Sequence, residues 1–335
     1  MRVLFAGSPA IAVPSLNALS ELEAEGGHVV LAGLLTNPDR ARRHGYSEPT
    51  DVSAAALALD AARKERGLAP IIQLKPEKLD ESFREEVSAL APDLLVSFAF
   101  GRIFGPRFLA LFPRGGINIH PSLLPKYRGA APIPAAILAG ENETGICIQK
   151  LALEMDAGDI LASERLELSG RETTSSLTQT VSERAAIMLR KLLLDFDPAL
   201  AAARPQEGKA IYCREMKKEE GVIDWKKSAV DIDAQIRAYT PWPLSFTHLG
   251  KDTLFILEAR ALEQKAAPVP PDTQGSLPGM VLGTDRETGI LVQTGSGVLA
   301  VSRLQWQAKK ALDWKAFYSG RKNSASAFIG SRLGQ

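Results

Sequence analysis

Short apolar runs alternate with helically spaced stretches through the first half of the chain. Arg2–Ala6 reads as a strand, and Ala10–Leu22 as a helix with Val13, Leu16, Leu19 and Leu22 at helical spacing. Val29–Thr36 is a second apolar strand, Val52–Arg66 an Ala-rich helix and Pro70–Leu74 a further strand. Glu77–Leu90 has amphipathic spacing, Asp93–Ala99 reads as a buried strand, and Gly116–His120 is another short one. Apolar residues three and four apart turn one helical face inward, whereas a continuous apolar run suits a strand covered on both sides. Strand–helix–strand alternation predicts a doubly wound α/β domain with a mostly parallel sheet. Ligands in such sheets bind beyond the carboxyl ends of the strands.

Thr144–Leu153 and Ile160–Leu168 read as two more strands around a turn at Met155–Asp159, and Thr174–Phe196 as a long amphipathic helix. Asp197–Glu207 is rich in Pro, Ala and polar residues, the composition of a linker. Beyond it, short alternating runs appear at Leu254–Leu257, Gly279–Leu282, Gly289–Thr294 and Val298–Leu304. Separated by Gly, Asp and Pro, they predict a small β-barrel. The expected division is an α/β domain over 1–198, a linker over 199–221 and a smaller, OB-like barrel over 222–335.

Composition adds limits rather than direction. The chain is 45% hydrophobic and 24% charged, as a folded globular protein is. No apolar run approaches the ~20 residues of a membrane helix, so no membrane partner is expected. Met1–Gly7 reads as the start of a strand rather than a secretory leader. The two cysteines, Cys147 and Cys213, cannot build a disulfide framework and stand in no zinc-spaced cluster. Reduced thiols fit a cytoplasmic location. The net charge of +1 hides an asymmetry. Residues 206–335 carry 18 Lys and Arg against 14 Asp and Glu, and residues 1–205 carry 22 against 25. Arg303, Lys309, Lys310, Lys315, Arg321, Lys322 and Arg332 face a single acid, Asp313, over the last stretch. A basic surface of this kind suits a polyanion or is simply solvated.

Candidate chemistry sits at the expected carboxyl edge. Gly7-Ser8-Pro9-Ala10 follows the first strand but is neither a dinucleotide fingerprint nor a Walker loop. Asn118 and His120 are two apart on a strand, so they share one face. A neutral imidazole is the usual base near neutral pH, and an amide beside it can donate to a developing oxyanion. The pair fits acyl or formyl transfer, although an Asn-x-His pair alone is more often structural. Asp156 lies in the turn Leu153-Glu154-Met155-Asp156-Ala157-Gly158-Asp159. It reads either as an Asx-type turn residue or as a carboxylate that orients an imidazole. His28, His44 and His248 lack comparable surroundings.

Asn118-x-His120, the loop Ser122-Leu123-Leu124-Pro125-x-Tyr127-Arg128-Gly129 and Asp156-x-Gly158-Asp159 occur in this order. Together they resemble the folate-dependent formyltransferases. The resemblance implies a Rossmann-like formyltransferase domain with Asn118, His120 and Asp156 as the catalytic trio. It also implies that Ser122, Leu123, Leu124 and Pro125 contact the co-substrate, 10-formyltetrahydrofolate, with no metal. Further segments are similar to the branch of that family that formylates initiator methionyl-tRNA. They are Ala6-Gly7-Ser8-Pro9, Thr36-Asn37-Pro38-Asp39-Arg40, Gly129-Ala130-Ala131-Pro132-Ile133, Ile223-Asp224-Trp225, Ile236–Pro243, Pro278-Gly279, and Leu304-Gln305 with Lys309-Lys310. The chain is expected to be a monomer, and its basic residues Arg40, Arg42, Arg43, Lys309, Lys310, Arg321 and Lys322 are expected to contact the tRNA.

Three departures bear on the acceptor. The loop Arg40-Ala41-Arg42-Arg43-His44-Gly45 keeps its charge with fewer glycines than is usual. Pro121 follows His120, as in the purine-pathway relatives, and Ala308 stands where a Gly often precedes the two lysines. The alternatives are a folate hydrolase, a sugar or nucleotide formyltransferase, and a folate- or RNA-binding module without activity. The barrel argues against a purine-pathway enzyme, and the intact trio against a decayed site.

Overall fold

The computed structural model describes residues 1–26, 28–41, 47–262, 275–320 and 328–335. They form two compact units. The first gathers Met1–Pro132, Glu143–Glu167 and Leu177–Arg214, and the second Ile133–Asn142, Leu168–Ser176 and Glu215–Gln335.

The first unit is built on a seven-stranded sheet. Its strands are β1 (Arg2–Ala6), β2 (Val30–Leu35), β3 (Gln73–Leu74), β4 (Leu94–Phe98), β5 (Gly116–His120), β6 (Glu143–Lys150) and β7 (Ile160–Glu167). Their spatial order is β7-β6-β5-β4-β1-β2-β3. The first five pair in parallel, while β6 and β7 add an antiparallel hairpin beside β5. All of β4 and all but Arg2 of β1 are buried, as parallel strands covered on both faces must be. Helices Val13–Ala24, Asp51–Glu65, Glu81–Ala89 and Thr174–Leu194 account for the amphipathic stretches. Two begin later than their periodicity predicts. Ala10–Ala12 is a 3₁₀ turn, and Asp80 caps the Glu81 helix by accepting from the Phe83 N–H.

Strand order reverses between β1 and β4, which opens a crevice at their carboxyl ends. Gly7 stands there, and a Cβ on it would lie 2.9 Å from the Phe98 carbonyl oxygen. Asn37 then ties the neighbouring loops together. Its backbone N–H and Nδ2 donate to Ser8 Oγ at 3.1 and 3.0 Å, and Nδ2 also donates to the Phe100 carbonyl at 3.0 Å.

Residues 204–213 fall in the span expected to link two domains, yet they hydrogen-bond into the first unit. Arg204 exchanges backbone bonds with Ile160 at 2.7 and 3.0 Å. Tyr212–Cys213 pairs in parallel with Arg128–Gly129. Pro, Ala and polar composition predicts a surface segment and says nothing about such pairing.

The second unit is antiparallel. Its strands are β8 (Ser245–Leu249), β9 (Asp252–Leu262), β10 (Val281–Asp285), β11 (Gly289–Gln293) and β12 (Val298–Trp306), in the order β8-β9-β12-β11-β10, with the short Leu312–Asp313 also paired to β12. The last residues of the chain join the two edges. The Val281 N–H donates to Ser331 O at 2.9 Å, and Gly334 N–H donates to His248 O on β8 at 2.7 Å. The sheet thereby closes and leaves less unpaired backbone at its edges. Helix Ala229–Ala238, capped by Ser228, sends Ile232 and Ile236 into a core with Leu254, Ile256, Leu299, Val301 and Phe317. Burying each such side chain contributes roughly 1.5–3 kcal/mol.

Candidate active site

The site grows from the carboxyl end of β5. Asn118 and His120 project from the same face, and β6 runs antiparallel beside them with Gln149 opposite Asn118 and Cys147 opposite His120. A loop then carries Tyr127–Gly129 back over the strand end. Ser122 closes that loop, since its buried hydroxyl donates to the Lys126 carbonyl at 2.6 Å. From the other side comes the turn between β6 and β7, where Asp156 holds a left-handed φ of +52°.

Asp156 is the hub. Its Oδ1 accepts from Asn118 Nδ2 at 3.2 Å and from Gln149 Nε2 at 2.9 Å, and its Oδ2 accepts from the Gly129 N–H at 2.9 Å. The same Oδ2 lies 3.5 Å from His120 Nδ1. Three donors hold the carboxylate rigidly beside a ring that is almost wholly buried.

His120 has a defined tautomer. Its Nε2 is 2.8 Å from the Tyr127 carbonyl oxygen, which can only accept, so Nε2 carries the proton. The neutral ring therefore presents its Nδ1 lone pair towards Asp156. Burial lowers the His120 pKa below its ordinary 6.5, against the opposing pull of the Asp156 charge and the Tyr127 carbonyl. The imidazole is thus unprotonated at neutral pH, and its conjugate acid would be held by hydrogen bonds at both nitrogens. A neutral base beside an amide donor is what transfer of an acyl or formyl group to an amine requires. Burial pushes the Cys147 thiol up to about 11, so it supplies no thiolate nucleophile here.

Comparison with known proteins agrees with this chemistry. A family model described as formyl transferase matches residues 1–193, and a formyl transferase C-terminal domain model matches residues 215–322. The methionyl-tRNA formyltransferase of Treponema denticola is 48% identical over 324 residues, covering 96% of this chain and 97% of that protein. The chain belongs to the methionyl-tRNA formyltransferase family. It is accordingly a formyl-transferring enzyme. Two solved structures share the fold. A methionyl-tRNA formyltransferase from Clostridium thermocellum aligns with a TM-score of 0.54 and 18% identity over 78% of this chain and 94% of its own. HypX from Aquifex aeolicus, in complex with tetrahydrofolic acid, gives 0.58 and 17% over 96% of this chain, which spans 47% of HypX.

The structure brings Asn118, His120 and Asp156 together. Leu123, Leu124 and Pro125 are half-buried in the adjoining loop. Arg40 is exposed on a short hairpin, Arg40–Ala41 with Ser47–Glu48. Lys309 and Lys310 are exposed beyond β12. Arg42, Arg43, Arg321 and Lys322 lie outside the described residues. Ala308 has a φ of +61°, which explains why glycine suits that position. Among the described residues, no three His, Cys, Asp or Glu side chains gather where they could hold a metal ion. No described helix is long and apolar enough to cross a membrane.

Sequence reasoning missed Gln149, Gln206 and the role of Arg128. Gln206 Nε2 donates to the carbonyls of Asp156 and Gly158 at 2.7 and 2.9 Å. Arg128 donates through Nε and Nη2 to Gln206 Oε1 at 3.1 and 2.8 Å. Gln149 had a readable signal, as the polar residue of the buried run Ile146-Cys147-Ile148-Gln149.

Proposed function

We propose that this enzyme moves a formyl group from 10-formyltetrahydrofolate to the amino group of initiator methionyl-tRNA in the cytoplasm, supporting translation initiation. The observation that carries the reading is the approach of the Asp156 carboxylate to a buried, neutral His120 beside Asn118.

The residues present fit a reduced folate. Leu123, Leu124 and Pro125 offer a half-buried apolar loop, and Ile103, Leu153 and Met155 expose apolar side chains on neighbouring loops. A flat heteroaromatic ring takes such surfaces together with a few fixed polar groups. That HypX, which shares the fold, binds tetrahydrofolic acid supports the same class of donor. When bound, the folate supplies the formyl carbon as an activated N-formyl group.

The chain's own groups manage charge and protons. His120 Nδ1 takes a proton from the attacking amine. Asp156 Oδ2 and the Tyr127 carbonyl then hold the two N–H groups of the imidazolium, which returns the Nδ1 proton to the departing folate nitrogen as its bond to the formyl carbon breaks. Asn118 Nδ2 spends one N–H on Asp156 and has a second for the oxygen that gains negative charge. Arg40, Arg42, Arg43, Lys309, Lys310, Arg321 and Lys322 supply positive charge for tRNA phosphates. The test is formation of formylmethionyl-tRNA from 10-formyltetrahydrofolate and charged initiator tRNA, which the wild-type chain should catalyse and His120→Ala should not.

A further inference from the structure

Asp156 depends on more than its own three donors. A left-handed φ is uncommon for a residue that is not glycine, and surrounding structure must hold it there. The backbone of the turn that contains it is held from outside by the side chain of Gln206. Its Nε2 donates to two carbonyls of the turn, those of Asp156 and Gly158, and lies 3.2 Å from Gln149 Oε1. The amide orientation is unambiguous. Nε2 faces backbone oxygens that only accept, and Oε1 faces an Arg128 guanidinium that only donates.

Arg128 is in turn fixed. Its side chain is 11% exposed and donates through Nη1 to Glu154 Oε1 at 3.2 Å and to the Tyr212 hydroxyl at 3.1 Å. The network therefore has two routes to the same carboxylate. Gln149 grips Oδ1 directly, and Gln206 grips the backbone that aims it. The ionisable groups around the turn are His120 and Asp156, then Arg128, Glu154 and Cys213, with Asp159 paired to Lys150.

We propose that Gln206 is a positioning residue for the formyl-transfer reaction, acting through Asp156 on His120, with Arg128 locking its amide. This rests on the reading of Asp156 and His120 as the working pair. It assigns a function to a segment that composition marks as a connector. Displacing a catalytic group by about 1 Å costs on the order of 10²-fold in rate. Gln206→Leu and the isosteric Gln206→Glu should each lose roughly 10- to 100-fold in turnover, with little change in KM for the tRNA. Glu keeps the shape and the partner for Arg128 but has no N–H for the two carbonyls.

The deciding experiment is a double-mutant cycle with Asp156→Asn, read together with pH profiles and thermal unfolding of all variants. If Gln206 works through Asp156, its substitution should cost less than about threefold once Asp156 is Asn. The acidic limb of the uncharged Gln206→Leu should also move to lower pH, because a carboxylate held less closely raises the His120 pKa less. Full additivity of the two losses, or an unmoved acidic limb in folded Gln206→Leu, would overturn the proposal. Wild-type turnover in both Gln206 variants would do the same. Near-normal turnover in Asp156→Asn alone would instead strike the underlying catalytic reading.

Discussion

The Nε2 atom of His120 stands 2.8 Å from the carbonyl oxygen of Tyr127, and this one contact decides which nitrogen of the ring can act as a base. The lone pair lies on Nδ1, 3.5 Å from Asp156.

The pH dependence follows. Burial holds the His120 pKa below 6.5, so the base form persists through neutral pH and is lost only as pH falls through the lowered value. Turnover should be flat near neutrality, with its acidic limb below 6.5. Stability should follow with the matching sign. The unfolded chain binds this proton more tightly, so the contribution is complete above 6.5 and declines as pH drops towards the folded-state value. Urea unfolding at several pH values, compared with His120→Gln, checks this. An acidic limb centred above 6.5 would contradict it.

The trio should behave as one unit. Asn118→Ala, His120→Ala and Asp156→Ala should each lose at least about 10²-fold in turnover while staying folded, the range expected for an oxyanion donor or a general base. Combined substitutions should lose less than the product of the single effects. Steady-state kinetics on purified, folded variants measures both, and near-normal turnover in His120→Ala would remove the base from the mechanism.

Gly129 offers a test of geometry rather than chemistry. Its φ is +112°, a Cβ on it would overlap the Cys213 carbonyl oxygen, and its N–H holds Asp156. Gly129→Ala should lower turnover by about 10²-fold because Asp156 must shift. Gly115→Ala is the control. Its φ is +74° with open space around it, so it should cost only stability, about 1–2 kcal/mol. Equal turnover in the two variants would show that Gly129 serves the fold alone.

Much of the fold is legible in the sequence, and the reason is period, whereas the grouping of Asn118, His120 and Asp156 comes from the resemblance of their motifs. Two-residue alternation puts Asn118 and His120 on one face, and a glycine-bearing turn flags Asp156. Parallel strands buried on both faces stand out as apolar runs. What escapes is long-range and carried by single polar side chains. Gln206 reaches Asp156 across 50 positions from a Pro/Ala-rich stretch, where nothing local marks it. Closure of the barrel by residues 330–334 is equally hidden, because it uses backbone groups of a segment with no strand pattern. The short strand β3 lies within the strand that Pro70–Leu74 predicts, although only Gln73 and Leu74 pair.

The exposed lysines after β12 should bind phosphate. Charge reversal at Lys309 and Lys310 should weaken tRNA binding and flatten its salt dependence. For a duplex, the slope should fall by about 0.9 for each phosphate that is no longer neutralised. Folate affinity should stay the same. Filter binding at two salt concentrations measures this, and unaltered tRNA affinity at both would leave these lysines as solvated surface.

The most direct measurement is formyl transfer by the full chain, from 10-formyltetrahydrofolate, to charged initiator tRNA and to glycinamide ribonucleotide in parallel. The fragment 1–214, which keeps Gln206 and the Tyr212–Cys213 pairing, runs beside it. The full chain should formylate the tRNA and leave the nucleotide untouched. The fragment should bind a folate analogue but transfer poorly, having lost the basic residues of 215–335. Transfer to the nucleotide and not to the tRNA would contradict the account.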